Sequence, residues 1–166
     1  MTLTAYDNRG RRGAGRGAAI VEFVIVSALL IFLLFGIMEM GFMLSNSATV
    51  TMTAHQGARA AALRGTSAAV TAAVNNAAAP LRHSTDPTYL SYVTKSRQAA
   101  DAAWSDWTPG TAPPGGTDAQ IQVIVTYKYD YITGSLLGSI GNLLGGGGGS
   151  TSSRTLTGTA IMRYGG

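Results

Sequence analysis

The chain contains no cysteine, which excludes disulfides, CxxC redox centres and cysteine-held zinc. Proline is missing before Pro80, so nothing in the first half of the sequence obliges a helix to break. Charge is scarce too: Asp, Glu, Lys and Arg make up only 12% of the 166 residues, and their placement matters more than their number. Arg9, Arg11, Arg12 and Arg16 against Asp7 place +3 of the total +4 in the first seventeen residues, leaving 8 basic and 7 acidic residues beyond them. The basic character therefore belongs to a leader, and the scattered remainder does not make the clustered basic face of a nucleic-acid-binding domain.

What is present begins with a long apolar run. From Ala18 to Leu44 the residues are apolar or small apart from Glu22, Ser27 and Glu39. A bilayer-spanning helix needs roughly 20 such residues. The arginines before the run and the weakly charged stretch after it favour a cytoplasmic N-terminus and an extracytoplasmic C-terminus. Phe23 to Met38 carries no charge and would cover roughly 24 Å of helix, placing both glutamates near the edges of the hydrocarbon. The plain account of Glu22 and Glu39 is that they sit hydrated among headgroups. The functional account starts from cost, since an ionisable group inside an apolar segment is disfavoured by about 2.5–3.5 kcal/mol.

Helical character continues beyond the run. In "NSATVTMTAHQGARAAALRG", Val50, Ala54, Ala58, Ala61 and Ala62 recur at helical spacing, predicting one helix from Ala18 to about Arg64, roughly 70 Å long. Gly65 is a stop signal, and Thr66 or Ser67 could cap a second, alanine-rich helix ending before Pro80, the alternative being one helix that runs through. "PLRHSTDPTYLSY" reads as a connection, "YVTKSRQAADAAWSDW" as a short helix carrying Trp104 and Trp107 on one side, and "TPGTAPPGGTD" as a loop.

The clearest strand is "QIQVIVTYKYDYI", with Ile121, Val123, Val125, Tyr127, Tyr129 and Tyr131 on one face. "RTLTGTAIMRY" alternates again and is expected to be its antiparallel partner. Between them "TGSLLGSIGNLLGGGGGS" reads as a flexible apolar loop, because four glycines in a helix would each cost about 1 kcal/mol relative to alanine. The expected organisation is a basic leader at 1–17, a long helix at 18–65 with its membrane part at 18–44, and an extracytoplasmic α+β head at 66–166 with a Gly-rich loop at 132–150.

No catalytic constellation stands out. His55 and His83 have no partners at metal-ligand spacing, and the glycine run lacks the Gly-Lys-Ser/Thr of a phosphate loop. GxSxG and HExxH are absent, so the expectation is a non-enzyme with no cofactor and no metal. Trp104 and Trp107 offer stacking surfaces for a carbohydrate, but in a small domain such residues more often build the core.

The first segment also carries a signature. "RGAAIVEFVIVSALLIFLLFGIMEMGFMLSNSATVTMTAHQGARAA" resembles the TadE-like family, minor pilins or pseudopilins of the tight-adherence, Flp-type pilus machinery. The matching elements are the arginine and glycine before the run, the Glu22–Phe23 pair, "FGIMEMG" with Gly36, Glu39 and Gly41, and "QGARAA" with Gly57, Ala58 and Arg59.

The resemblance implies a pilin-like fold, a long N-terminal helix with a small head. It also implies that a membrane-embedded prepilin peptidase cuts after Gly17, making Ala18 the mature N-terminus and Glu22 the fifth residue. The implied partners are that peptidase, other pilin and minor pilin subunits, an inner-membrane assembly platform and membrane lipid, with no nucleic acid. TadF- and TadG-like relatives share the N-terminal signature.

Once cleaved, the new α-amine, with an ordinary pKa near 8, is largely cationic and could neutralise Glu22 of a neighbouring subunit. Ser27, Ala28, Gly36 and Gly41 offer close helix contacts, or are ordinary membrane-helix composition. Three rival readings remain: an anchored extracytoplasmic binding module that keeps its leader, an anchored enzyme, which would show a polar pocket with convergent ionisable groups in its head, and an ordinary secretory leader cut near Ser45–Ala48.

Overall fold

The computed structural model describes residues 11–98, 100, 102–134 and 153–165, with side chains from residue 17 onward. In chain order its elements are α1 (Arg11–Ala62), α2 (Ser67–Ala78), β1 (Leu90–Arg97), β2 (Ser105–Asp106), β3 (Gln120–Asp130) and β4 (Ser153–Arg163). The class is α+β: a long N-terminal helix followed by a small domain with a four-stranded antiparallel sheet. The chain divides into two compact units between Glu39 and Met40, within α1.

α1 is already helical at Arg11, the first described residue, ahead of the Ala18 expected, because Arg and Ala extend a helix readily and no proline interrupts them. It ends through a Schellman arrangement. Gly65 N–H donates to the Ala60 carbonyl at 3.1 Å and Arg64 N–H to the Ala61 carbonyl at 3.2 Å. Arg64, not glycine, takes the left-handed conformation, with φ of 63°. Gly65 is needed for space, since a Cβ there would stand 2.5 Å from the Ala60 carbonyl oxygen. Thr66, one of the two caps the sequence offered, then caps α2, its hydroxyl accepting from Ala69 N–H at 3.3 Å.

In the second unit, α1 and α2 share one core with the sheet. Val50, Ala54, Ala58 and Ala61 are fully buried, as their spacing predicted, and join Val70, Val74 and Ala78 of α2. From β3 come Ile121, Val123, Val125, Tyr127 and Tyr129, and from β4 Leu156 and Ala160. The strict alternation read in β3 is thus the burial pattern of a sheet covered on one face. Its opposite face stays accessible, with Val93 and Ile161 about half exposed.

The strand order is β2-β1-β3-β4, all neighbours antiparallel. β4 pairs with β3 from Asp130↔Ser153 to Gln120↔Arg163, confirming the expected partner. One expectation fails. The stretch read as a connection followed by a short helix contains β1, paired along its whole length from Leu90↔Tyr127 to Arg97↔Gln120. Tyr92, Val93 and Thr94 favour a strand, and β3 offers a ladder that outweighs the helix formers gathered after Arg97.

Trp107 is in the core, edge-on to Tyr164 at 6.0 Å, while Trp104 lies half-buried beneath the Arg97 guanidinium at 4.4 Å. Of the segment read as an apolar glycine-rich loop, residues 135–150 lie outside the described residues.

Candidate functional site

The residues singled out in the sequence fall into two groups. Gly17, Ala18, Glu22, Phe23, Gly36 and Glu39 lie on α1 in the first unit, and Gly41, Gly57, Ala58 and Arg59 on α1 in the second. Within the first unit the helix is bare. Ile20, Val21, Phe23, Val24, Ile25 and Leu29 are all more than half exposed, and the same holds for most large residues on to Ile37. The segment is long and apolar enough to cross a membrane, and the most apolar window has none of its surface buried. Such a surface requires lipid or partner helices around it.

Glu22 is exposed within this apolar surface. One helical turn before it lies Ala18, on the same face by the four-residue spacing. The small size of Gly17 and Ala18 leaves a shallow notch, open to the outside and walled by Val21, Glu22, Ile25 and Val26. A carboxylate therefore borders a depression that a neighbouring helix could enter. Ser27 adds no free donor, because its hydroxyl already bonds the Val24 carbonyl at 2.9 Å. Gly36 and Gly41 have open space where a Cβ would stand, so neither is small for the sake of its own chain's packing.

Glu39 differs from the expectation of a hydrated headgroup residue. It is only 9% exposed and takes part in an interaction within the structure. Low exposure and a partner distinguish it from Glu22, although composition alone makes the two look alike.

Within the second group, Gly57 and Ala58 serve the packing of the fold. Gly57 and Ala58 are buried, and a Cβ on Gly57 would stand 2.9 Å from Val74 Cγ2 and 3.3 Å from Val123 Cγ1. Glycine here lets α1 approach both α2 and β3. Arg59 is exposed in the last turn of α1, where a cation complements the helix dipole. His55 is exposed, and His83 lies against the Tyr89 ring at 4.7 Å. Among the described residues no three His, Asp or Glu side chains gather as a metal-binding set.

One feature escaped the sequence. Tyr127, Tyr129 and Tyr131 were read as one face of a strand, and Tyr127 and Tyr129 are indeed buried. Together with Tyr89, Arg82, His83 and Asp130 they also enclose a cavity of about 430 Å³. The Tyr89 hydroxyl bonds the Asp130 carboxylate, which is the leading cause that raises its pKa above the ordinary tyrosine value. The Tyr127 hydroxyl donates to the Arg82 carbonyl at 2.7 Å, and burial raises its pKa as well. The only signal in the sequence was the density of tyrosines near one strand end.

Residues 17–59 match the family model of TadE-like protein. The matched segment takes in every residue of both groups, so it joins the bare apolar helix to the part of α1 that packs in the head. No curated protein and no solved structure matches the chain.

Proposed function

We propose that the chain is a minor pilin or pseudopilin of a tight-adherence pilus, anchored by α1 in the bacterial inner membrane with its N-terminus cytoplasmic and its sheet domain outside. The observation that carries this reading is the TadE-like match over 17–59, falling on an apolar helix whose exposed carboxylate, Glu22, borders a notch made by Gly17 and Ala18. A prepilin peptidase cuts between those two residues. Because that bond lies inside α1, the turn around it has to open before it can enter an active site.

Cleavage leaves a cationic amine on Ala18 of each subunit. In an apolar surround, an ammonium and a carboxylate each cost several kcal/mol when alone and are favourable only together. Pairing the amine of one subunit with Glu22 of the next fixes a stagger between helices, while isolated subunits stay dispersed in the membrane. The role is structural. The chain is the substrate of the peptidase, the partner of other pilin subunits and of the assembly platform, and does no chemistry itself.

The test is complementation of a strain lacking the gene, with pilus number and subunit content measured. Glu22→Ala is expected to be membrane-inserted and cleaved but poorly incorporated, with Glu22→Asp partly active. Normal incorporation of Glu22→Ala would remove the carboxylate from the mechanism and leave the anchored binding module as the better reading.

A further inference from the structure

Three parts of the second unit meet around the tyrosine cavity. β3 ends with Tyr127, Tyr129 and Asp130, and Tyr131 follows; Tyr89 stands beside them, its carbonyl accepting from Lys128 N–H at 2.8 Å. The segment after α2 brings Arg82 and His83, and α1 contributes Phe42 and Asn46. The walls are well fixed. Tyr129 and Tyr131 pack edge to face at 5.7 Å and 82°, and Tyr127 and Tyr89 are held by the hydrogen bonds described above.

The chemistry of this cavity is mixed in a particular way. Arg82 supplies a guanidinium, whose planar fork suits the oxygens of a phosphate. Asp130 supplies a carboxylate, and tyrosine ring faces attract cations through their quadrupoles, as the Tyr89 ring, with His83 against it, already does for Lys128 Nζ at 5.5 Å. A small ligand that satisfies both must carry an anion and a cation on one short scaffold. Phosphate linked to ammonium by two carbons has that form, and a cavity of about 430 Å³ is large enough to take it.

The position of the cavity selects the source. Phe42 in its wall belongs to the apolar run that ends at Leu44, and Met40, Phe42 and Leu44 are all about half exposed or more. Asn46, half a turn beyond that run, lines the same cavity. Where an apolar helix leaves a bilayer, tyrosines gather at headgroup level, and four of the seven tyrosines of the chain line this cavity.

We infer that this cavity is a lipid-headgroup site that takes the phosphoethanolamine of a membrane phospholipid, with Arg82 on the phosphate and Asp130 with the tyrosine rings on the ammonium. The inference rests on the reading that α1 spans a membrane. A seated headgroup ties the foot of the head unit to the membrane surface.

The experiment uses the full chain in a neutral detergent and native mass spectrometry, with dioctanoyl phosphatidylethanolamine and dioctanoyl phosphatidylglycerol competing at equal concentration. The wild type is expected to retain one ethanolamine lipid with a preference of about tenfold. Asp130→Asn should abolish the preference while glycerol lipid is still retained, and Arg82→Ala should weaken both. Arg82→Lys, which keeps the charge without the fork, should restore part of the binding and guards against a folding artefact. Lys95→Ala, on β1, should change nothing.

Equal retention of the two lipids by the wild type overturns the inference, as does a preference that survives both Asp130→Asn and Arg82→Ala. Tighter binding of free phosphoethanolamine, or displacement of lipid by a neutral oligosaccharide, overturns the assignment to lipid. The anchoring itself is checked separately by alkaline extraction of membranes. A chain released by that wash would defeat the anchoring reading, whereas a chain that stays but shows no lipid preference defeats the headgroup site alone.

Discussion

Gly158 of β4 lies so close to Val50 of α1 that a Cβ built on it would stand 2.6 Å from the Val50 carbonyl oxygen and 2.9 Å from Thr51 Cα. Both obstacles are backbone, so neither can rotate away. Helix and strand meet here main chain to main chain, and this contact locks α1 onto the sheet. Gly158→Ala is therefore expected to destabilise the head by about 1–3 kcal/mol, lowering the Tm of the full chain in detergent by several degrees. An unchanged Tm would mean that α1 does not pack on β4 in this way.

Gly57 poses a softer version of the same problem. The atoms in the way are the Val74 and Val123 methyl groups, and alanine would gain up to about 1 kcal/mol of helix propensity. Gly57→Ala should accordingly cost less than Gly158→Ala. In a Val74→Ala background, with the nearer methyl gone, the same substitution should become stabilising. Additive effects in a double-mutant cycle would contradict the contact.

Gly36 has nothing within 4 Å of the place where a Cβ would stand. Gly36→Leu should leave the Tm of the head untouched, because no packing of its own chain is disturbed. It should reduce incorporation into pili if neighbouring helices pass close to it, since large side chains hold backbones apart. Full incorporation of Gly36→Leu would assign that glycine to ordinary membrane-helix composition.

Two of the tyrosines are shifted, and the sign of the consequence is definite. Tyr89, through Asp130, and Tyr127, through burial, have pKa values above the ordinary 10.0, so the folded chain holds those protons more firmly than the unfolded one. Stability from these groups is complete below about pH 10 and is lost as the pH rises through the folded values. Absorbance titration at alkaline pH should show a late-ionising fraction, and Asp130→Asn should return Tyr89 toward the ordinary value. A single transition near pH 10 in the wild type would contradict the Tyr89–Asp130 hydrogen bond.

The parts of the fold that were legible in the sequence are those where one periodicity governs burial. Val50, Ala54, Ala58 and Ala61 at helical spacing, and Ile121, Val123 and Val125 at alternate positions, lie in the core as read. A cap for α2 at Thr66 or Ser67 was legible because capping is a local interaction, and the structure chooses Thr66. β1 was misread because the alanines and polar residues after Arg97 resemble a helix, while the ladder that makes Leu90–Arg97 a strand comes from β3, more than twenty residues away. Gly158 gave no sign of its contact with Val50, since nothing local to β4 reports where α1 passes. The tyrosine cavity was hidden for the same reason: it gathers residues from Phe42 to Ile132. In the membrane segment the sequence offered both glutamates the same plain account and gave a specific role to Glu22 alone, and their different burial, which no local pattern reports, separates them further.

The central claim is that the chain is a prepilin, and the N-terminal mass of the protein extracted from its native membranes, with and without the prepilin peptidase, tests it most directly. The account predicts an N-terminus at Ala18 in the strain that has the peptidase and an uncleaved leader in the strain that lacks it. An intact Met1 or Thr2 in both strains, or an N-terminus near Ala48, would contradict it.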